Sequence, residues 1–461
     1  MSKKQDSDGS TRREMIQKSA ITVAAGAAVS AVSHLPATAA GMARIIGAND
    51  RINVAHIGLG VQGTTHLRLV KENAKEQLNN NTEQIAVCDI YVRAKKVAQA
   101  TLNLKDNQAY DDYRKLLEHK DIDAVWVTTS DQWHAPITID AVQAGKHVYC
   151  EKPMTRTMEE AFAVYDAVKK SGKVFQVGSQ GTSDGKHHAV GAMVKAGKIG
   201  KMVVGQDSYC RADNKVGEWN DYRKIDPDAS PTASGDGFIN WDVFCKGKKT
   251  PWDPDRYFHW RKWWDYGSGL MGDLLPHRLH PLMYAMAIPL TGIDGYPMRV
   301  ASTGGLYVQK INPASGKPDR EVPDFLTLMV DFKDYSMMAM SSCVTEQGWP
   351  AEIRGNKATI LYNGGNIELK PENNYTDEID GDTTPAPGPT ESIPIHEKNF
   401  LDCIRSGGVP NGNIDLAIRV QTMISLGELA YRQGHTFHFD PKSRMYSPNP
   451  ITSVQVAKHT G

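Results

Sequence analysis

Two hydrophobic rhythms alternate along the first part of this chain and then give way to a third. Short apolar runs fall near 52–57, 84–88, 124–129 (AVWVTT), 147–150 and 174–177. Between them, apolar residues recur every three or four positions over 64–77, 93–104, 111–119, 136–144 and 157–171, which predicts helices. In the second of these, Ala94, Val97, Ala98 and Leu102 share one face. Pro136 in a first turn and Gly145 at a stop bound the fourth. Strands and helices in this alternation predict a parallel, doubly wound sheet. Its ligands bind at the carboxyl ends of the strands, where Asp89, Thr128, Thr129, Glu151 and Lys152 fall.

The rhythm changes after Gly178. A helix is expected over 185–196, followed by antiparallel-looking runs over 202–209, 299–308, 325–332, 337–344, 352–362 and 367–370. Turn residues such as Asp334 and Asn363-Gly364-Gly365 separate them. This predicts a second, α+β domain on an open, mainly antiparallel sheet. Residues 211–261 are polar and rich in Trp (Trp219, Trp241, Trp252, Trp260) and read as an insertion. Residues 373–392 read as a surface loop, and helix returns over 396–434. The domain reading is a Rossmann-type α/β domain over 48–178, a substrate and oligomerisation domain over 179–440, and a tail over 441–461 free to wrap a neighbour.

The N-terminus differs in kind. Arg12-Arg13 precede Met15, Ile16 and Lys18, then an Ala-rich apolar run from 20 to 32 and a small-x-small site at Ala37-Thr38-Ala39. This pattern predicts a twin-arginine export signal over residues 1–40, hence a periplasmic or otherwise exported protein that meets the twin-arginine translocase. An uncut N-terminal anchor is the other reading of the same stretch. The length of 461 residues fits two domains, and the formal net charge of zero offers nothing to nucleic acid or an anionic membrane surface. None of the six cysteines has C-x-x-C spacing, and no disulfide is expected in the first domain.

The candidate chemistry begins at Gly58-x-Gly60-x-x-Gly63, between the first strand and the first helix. Dinucleotide binding needs this order: a tight turn, close approach to a pyrophosphate, and close packing of helix on strand. Asp89 ends the second strand, where a carboxylate pairs with the adenosine ribose hydroxyls and repels a 2′-phosphate. That favours NAD. Arg93, one helical turn on, leaves NADP open.

Two further segments carry a family resemblance. DAVWVTTSDQWHAPITIDAVQAGKHVYCEKP over 123–153 and GSGLMGDLLPHRLH over 267–280 resemble the Gfo/Idh/MocA oxidoreductases, relatives of glucose–fructose oxidoreductase and inositol dehydrogenase. The resemblance implies a Rossmann domain, a second domain whose sheet faces the nicotinamide, and sugars, polyols or their derivatives as substrates. It implies that Lys152 sits between nicotinamide and substrate and that Asp273 and His277 form an acid/base pair. Open sheets of this kind often mediate homo-oligomers. The chemistry agrees: alcohol oxidation needs a base such as His277, an orienting group such as Asp273, and a fixed positive charge such as Lys152 beside the forming carbonyl. Glu151 and His134 are expected beside the cofactor, and Trp133 packed on it. His280 is expected to line the substrate site. Tyr266 and Trp264 belong to an aromatic set that is either an interface or a sugar platform. Asp273, His277 and His280, at helical spacing, also admit a metal site, disfavoured by Pro276 and Pro281. The segment Ser179-Gln180-Gly181-Thr182 departs from the family, which often has Arg there.

The expected activity is hydride transfer between a tightly bound nicotinamide and a carbohydrate. An exported enzyme must bring its cofactor out already bound and recycle it in place. The rival readings are a redox-neutral NAD-dependent glycosidase acting through a transient keto-sugar, and a non-catalytic sugar-sensing protein.

Overall fold

The computed structural model describes residues 51–75, 81–212, 224–308, 311, 316, 318–362 and 364–451. The expected export signal, part of the polar insertion and the end of the tail lie outside them. Among the described residues, no helix is long and apolar enough to cross a membrane, and all six cysteines are free thiols.

The first half runs β1 (Ile52–Ile57), α1 (Val61–Lys75), β2 (Thr82–Cys88), α2 (Val92–Leu102), β3 (Ala109–Tyr110), α3 (Tyr113–Leu117), β4 (Ala124–Val127), α4 (Asp131–Gln143), β5 (His147–Glu151), α5 (Met158–Ser171) and β6 (Phe175–Gly178). Its strands form one parallel sheet in the order β3-β2-β1-β4-β5-β6. β1, β4 and β5 are buried along their whole length, which is why they read as mostly apolar runs, with Asn53, His56, His147 and Glu151 as buried polar exceptions. The chain reverses its direction of travel across the sheet between β1 and β4, opening a crevice at their carboxyl ends. α5 starts where a capping box starts it: Thr157 Oγ1 accepts the Glu160 N–H at 3.3 Å, and Glu160 Oε2 accepts the Thr157 N–H at 3.2 Å. α4 begins at Asp131, five residues before the expected start. Pro136 therefore lies inside the helix and forfeits one helical hydrogen bond.

The second half contains α6 (Gly185–Lys195), β7 (Met202–Cys210), α7 (Trp241–Phe244), α8 (Pro254–Phe258), α9 (Gly269–Asp273) and α10 (Pro276–Ala285). Then come β8 (Arg299–Gly305), β9 (Phe325–Asp331), β10 (Ser336–Ser342), β11 (Glu352–Gly355), β12 (Ala358–Leu361), β13 (Asn366–Pro371) and β14 (Asp382–Pro385). The chain ends in α11 (Ile393–Ser406), α12 (Ile414–Gln433), β15 (Phe437–Asp440) and β16 (Met445–Ser447). A ten-stranded sheet runs β14-β13-β12-β11-β7-β10-β9-β8-β15-β16. Among the described residues only β7 and β10 of this sheet pair in parallel, so the sheet is mixed and mainly antiparallel.

Several expectations change. The single run over 352–362 is a hairpin, β11 and β12, turned at Asn356-Lys357. The loop over 373–392 contributes β14 to the sheet edge. In the tail, β16 pairs with β15 of its own sheet. α11 packs Phe400, Leu401 and Ile404 on Ile52, Val54, Trp126 and Tyr149, so it covers the Rossmann sheet although it follows the second domain in sequence. The buried α12, capped by Asn413 on the N–H groups of Asp415 and Leu416, packs against both α5 and β8. One apolar core runs from Ala55 and Val127 through Leu270 and Leu279 to Leu328 and Ile418.

The insertion is fastened to the first domain. Val92 N–H donates to Phe238 O at 3.1 Å, and Asn240 N–H donates to Ile90 O at 3.0 Å. Trp241, Phe244, Tyr257, Phe258 and Trp260 bury Tyr91 in an aromatic cluster. Hydrogen bonds from Gln132 and Trp133 to Phe244 O, each 3.3 Å, fasten it to α4 as well.

Candidate active site

A cavity of about 430 Å³ lies between the carboxyl edge of the parallel sheet, the insertion and the first helices after it. Gly58 and Gly60 form part of its wall. Gly58 has φ +90°, and a Cβ there would meet Thr129 N at 2.7 Å; at Gly63 it would lie 2.0 Å from Gly58 O. The turn and the first turn of α1 are thus packed as closely as glycine alone allows, with N–H groups available to a pyrophosphate. Thr128 Oγ1 donates to Gly58 O at 2.5 Å and holds that turn. Asp89 follows directly on β2, its carboxylate accepting the N–H groups of Leu59 (2.5 Å) and Tyr91 (2.8 Å). This cradle fits a dinucleotide. His134 is buried outside the cavity wall, its Nδ1 2.7 Å from Pro153 O and its Nε2 3.1 Å from Thr129 O. It ties α4 to the ends of β4 and β5. Trp133 lines the cavity.

Lys152, just past β5, reaches across to the second domain. Its Nζ donates to Asp273 Oδ1 at 2.7 Å and to Asp273 O at 2.8 Å. Arg261, from the insertion, donates through Nε to the same Asp273 oxygen at 2.9 Å. Burial would push the Asp273 carboxyl up, but Arg261 and Lys152 overcome it and hold it far below the usual carboxylate range. Asp273 is therefore a permanent anion. Asp273 is drawn to Lys152 and Arg261 rather than serving His277 alone, and its charge raises the His277 imidazole against burial and Lys152. His277 stands half-buried in the cavity wall with its ring edge-on to Tyr209, centroids 5.3 Å apart. Burial first, then Lys152, lowers its pKa to about 3, so the imidazole is neutral.

Glu151, adjacent to Lys152, turns the other way. Its Oε1 lies 2.8 Å from Nε2 of the fully buried His66, whose Nδ1 is 2.7 Å from Glu397 Oε1. Burial works against charge on His66, yet the hydrogen bonds to Glu151 and Glu397 prevail and raise it to about 9. Asp131, at the start of α4, is a further carboxyl on the cavity. It accepts the Ser268 N–H at 3.1 Å, and burial raises it to about 7.

Besides His134, four expected site residues stand elsewhere. Arg93 is absent from the cavity wall and is held by Asp226 of the insertion. His280 is buried against its own helix, Nδ1 2.9 Å from Pro276 O. Tyr266 packs on Phe244 at 4.8 Å within the aromatic cluster. The Trp264 ring faces Arg432 and Tyr431, while its carbonyl accepts Arg156 Nε at 2.9 Å; it is a joint between domains and forms no sugar platform. The break between α9 and α10 separates Asp273 from His280. Among the described residues, no group of three or more His, Cys, Asp or Glu is placed to hold a metal ion. Conversely, Asp131, Gln180, Tyr209 and Arg261 line the cavity without having been singled out for it. Gln180 lay in the 179–182 segment that departs from the family and Arg261 among the aromatics just before 267–280, whereas Asp131 and Tyr209 carried no signal.

Residues 52–179 match the model of the Gfo/Idh/MocA oxidoreductase family, NAD-binding Rossmann fold. Inositol 2-dehydrogenase of Salmonella typhimurium is 32% identical over 151 residues, 32% of this chain and 43% of that protein. A glycosyl hydrolase family 109 protein of a Shewanella species is 30% identical over 190 residues, 38% of this chain and 40% of that protein. The chain thus spans less than half the length of these curated relatives. Levoglucosan dehydrogenase in complex with NADH and L-sorbose shares the fold, with a TM-score of 0.62 at 19% identity over 84% of this chain and 98% of that one. Residues 52–179 thus match a Gfo/Idh/MocA NAD-binding Rossmann model, and the two sheets together share the fold of levoglucosan dehydrogenase.

Proposed function

We propose that this protein is an NAD-dependent oxidoreductase that moves a hydride between the nicotinamide and a hydroxyl-bearing carbon of a sugar, polyol or derivative. The observation that carries this reading is the Lys152 ammonium, held on Asp273 at the edge of a cavity that also presents a neutral His277. NAD, when bound, supplies the hydride acceptor. Lys152 binds the substrate oxygen and stabilises the negative charge that grows on it. His277 accepts the hydroxyl proton. Asp273, ionised throughout, orients Lys152. The names of the relatives, inositol 2-dehydrogenase and levoglucosan dehydrogenase, support a polyol or sugar substrate. We extend the reading to export through the twin-arginine translocase, supported by Arg12-Arg13 and the Ala-rich run after them. The cofactor would then leave the cytoplasm bound and be recycled in place.

A second reading is a redox-neutral glycosidase, supported by the likeness to the family 109 protein and by Asp131, a second proton-carrying group at about 7. One experiment separates the two. Cofactor-loaded enzyme is mixed with glycosides and free sugars, with and without a carbonyl acceptor, while released aglycone and reduced-nicotinamide absorbance near ~340 nm are followed together. A stoichiometric absorbance burst, relieved only by the acceptor, is the expected result. Sustained aglycone release without acceptor would replace the first reading with the second.

A further inference from the structure

The carboxyl end of β2 is where a Rossmann domain distinguishes NAD from NADP, and here it is unusually rich in paired charge. Asp89, Asp111, Asp112 and Arg114 line the cavity at this end. Each nearby cation is engaged by a carboxylate: Arg114 by Asp112 at 3.4 Å, Lys95 by Asp111, and Arg93 by Asp226. The first two pairs are local to the Rossmann domain, whereas Asp226 arrives from the insertion more than a hundred residues later. Asp226 is firmly placed. Its Oδ2 takes the hydroxyl of Tyr91 as well as the Arg93 guanidinium, and its Oδ1 accepts the Asp228 N–H at 3.0 Å. Tyr91 is in turn locked edge-on between Tyr257 and Phe258. A second carboxylate, Asp228, lies 3.8 Å from Arg93.

We propose that Asp226 is a specificity-determining residue for the cofactor: by holding Arg93 off the adenosine ribose site, it keeps that site net acidic and selects NAD over NADP. A 2′-phosphate adds dianionic charge near neutral pH and needs a guanidinium or ammonium to receive it. Arg93 is the cation whose position one turn past Asp89 suits that task, and the insertion removes it. The inference rests on the NAD-dependent reading above and makes one half of that reading, cofactor choice, a property of the insertion as well as of Asp89.

The test is a competition. Full-length protein is equilibrated with equimolar NAD and NADP, freed of unbound cofactor and denatured, and the released cofactors are quantified by mass spectrometry. Wild type should release mainly NAD. Asp226→Ala should raise the NADP-to-NAD ratio about tenfold, the scale of one charge-assisted hydrogen bond to the 2′-phosphate. Asp226→Asn, which keeps an acceptor for Tyr91 and so guards against misfolding, should move the ratio the same way. The Arg93→Ala/Asp226→Ala double variant should return to the wild-type ratio. An unchanged ratio in both single variants, or a raised ratio that persists in the double variant, overturns the inference. Release of neither cofactor by wild type would instead sink the NAD-dependent reading on which it stands.

Discussion

Glu151 and Lys152 are neighbours in the chain and lead into two different charge clusters. Glu151 turns inward to His66 and Glu397, with Trp126 Nε1 adding a hydrogen bond to Glu397 at 3.2 Å. Lys152 turns outward to Asp273, which it shares with Arg261. In both clusters opposite charges meet at 2.7–2.9 Å within the protein. In the inner one, a single cation sits between two carboxylates and is fully enclosed. In the outer one, two cations share one carboxylate, and all three groups line the cavity. The difference is functional. A cluster whose cation is fully enclosed between two carboxylates joins α1, β5 and α11, and only Glu151 of the three reaches the cavity wall. A cluster with surplus positive charge open to a cavity can receive the negative charge that develops on a substrate oxygen.

The largest effect expected from breaking this contrast is on the sealed side. His66→Leu leaves Glu151 and Glu397 facing each other in the interior and should cost about 3–5 kcal/mol of stability at neutral pH, read by denaturant unfolding. The pH dependence follows from its sign. The folded-state pKa of His66, about 9, lies above its ordinary 6.5, so its contribution is complete below 6.5 and is lost as pH rises through 9. Wild type should therefore lose stability over that window and the variant should not. Parallel stability curves would show that His66 is not charged in the fold.

Next comes the open side. Lys152→Met leaves Asp273 on Arg261 and should change stability by less than about 1 kcal/mol, while single-turnover hydride transfer falls ~100-fold or more. A rate within threefold of wild type would reduce the outer cluster to another structural pair. The smallest effect is expected at Trp264, whose ring lies outside the cavity on Arg432. Trp264→Leu should leave kcat and KM for the identified sugar within about twofold, as for a side chain remote from the chemistry. A KM raised tenfold would return it to the substrate site.

Much of the fold was legible because it is local. Buried parallel strands are mostly apolar, the glycines of 58–63 mark a turn that a Cβ would block, and Thr157 with Glu160 announces a helix start. The misreadings were local ambiguities: Pro136 suggested a first turn, and the Asn356-Lys357 turn was missed inside a run read as one strand. The site was legible only in part. Lys152 and Asp273 could be named singly from their segments, but 121 positions separate them, and no periodicity shows that they meet. The partner expected for Asp273, His277, was the near one in sequence.

The sequence by itself determined where strands and helices alternate, that a dinucleotide turn follows β1, and which ionisable side chains stand at strand ends. The tertiary structure alone decided which charges meet. It placed Glu397, 331 positions away, on His66; it brought Arg261 of the insertion to Asp273 and Asp226 to Arg93. The reason is physical. Backbone conformation and amphipathic burial depend on neighbours a few residues apart, so they leave a pattern along the chain. The state of a buried charge depends on desolvation and on the nearest opposite charge in space, and both exist only once distant segments have packed.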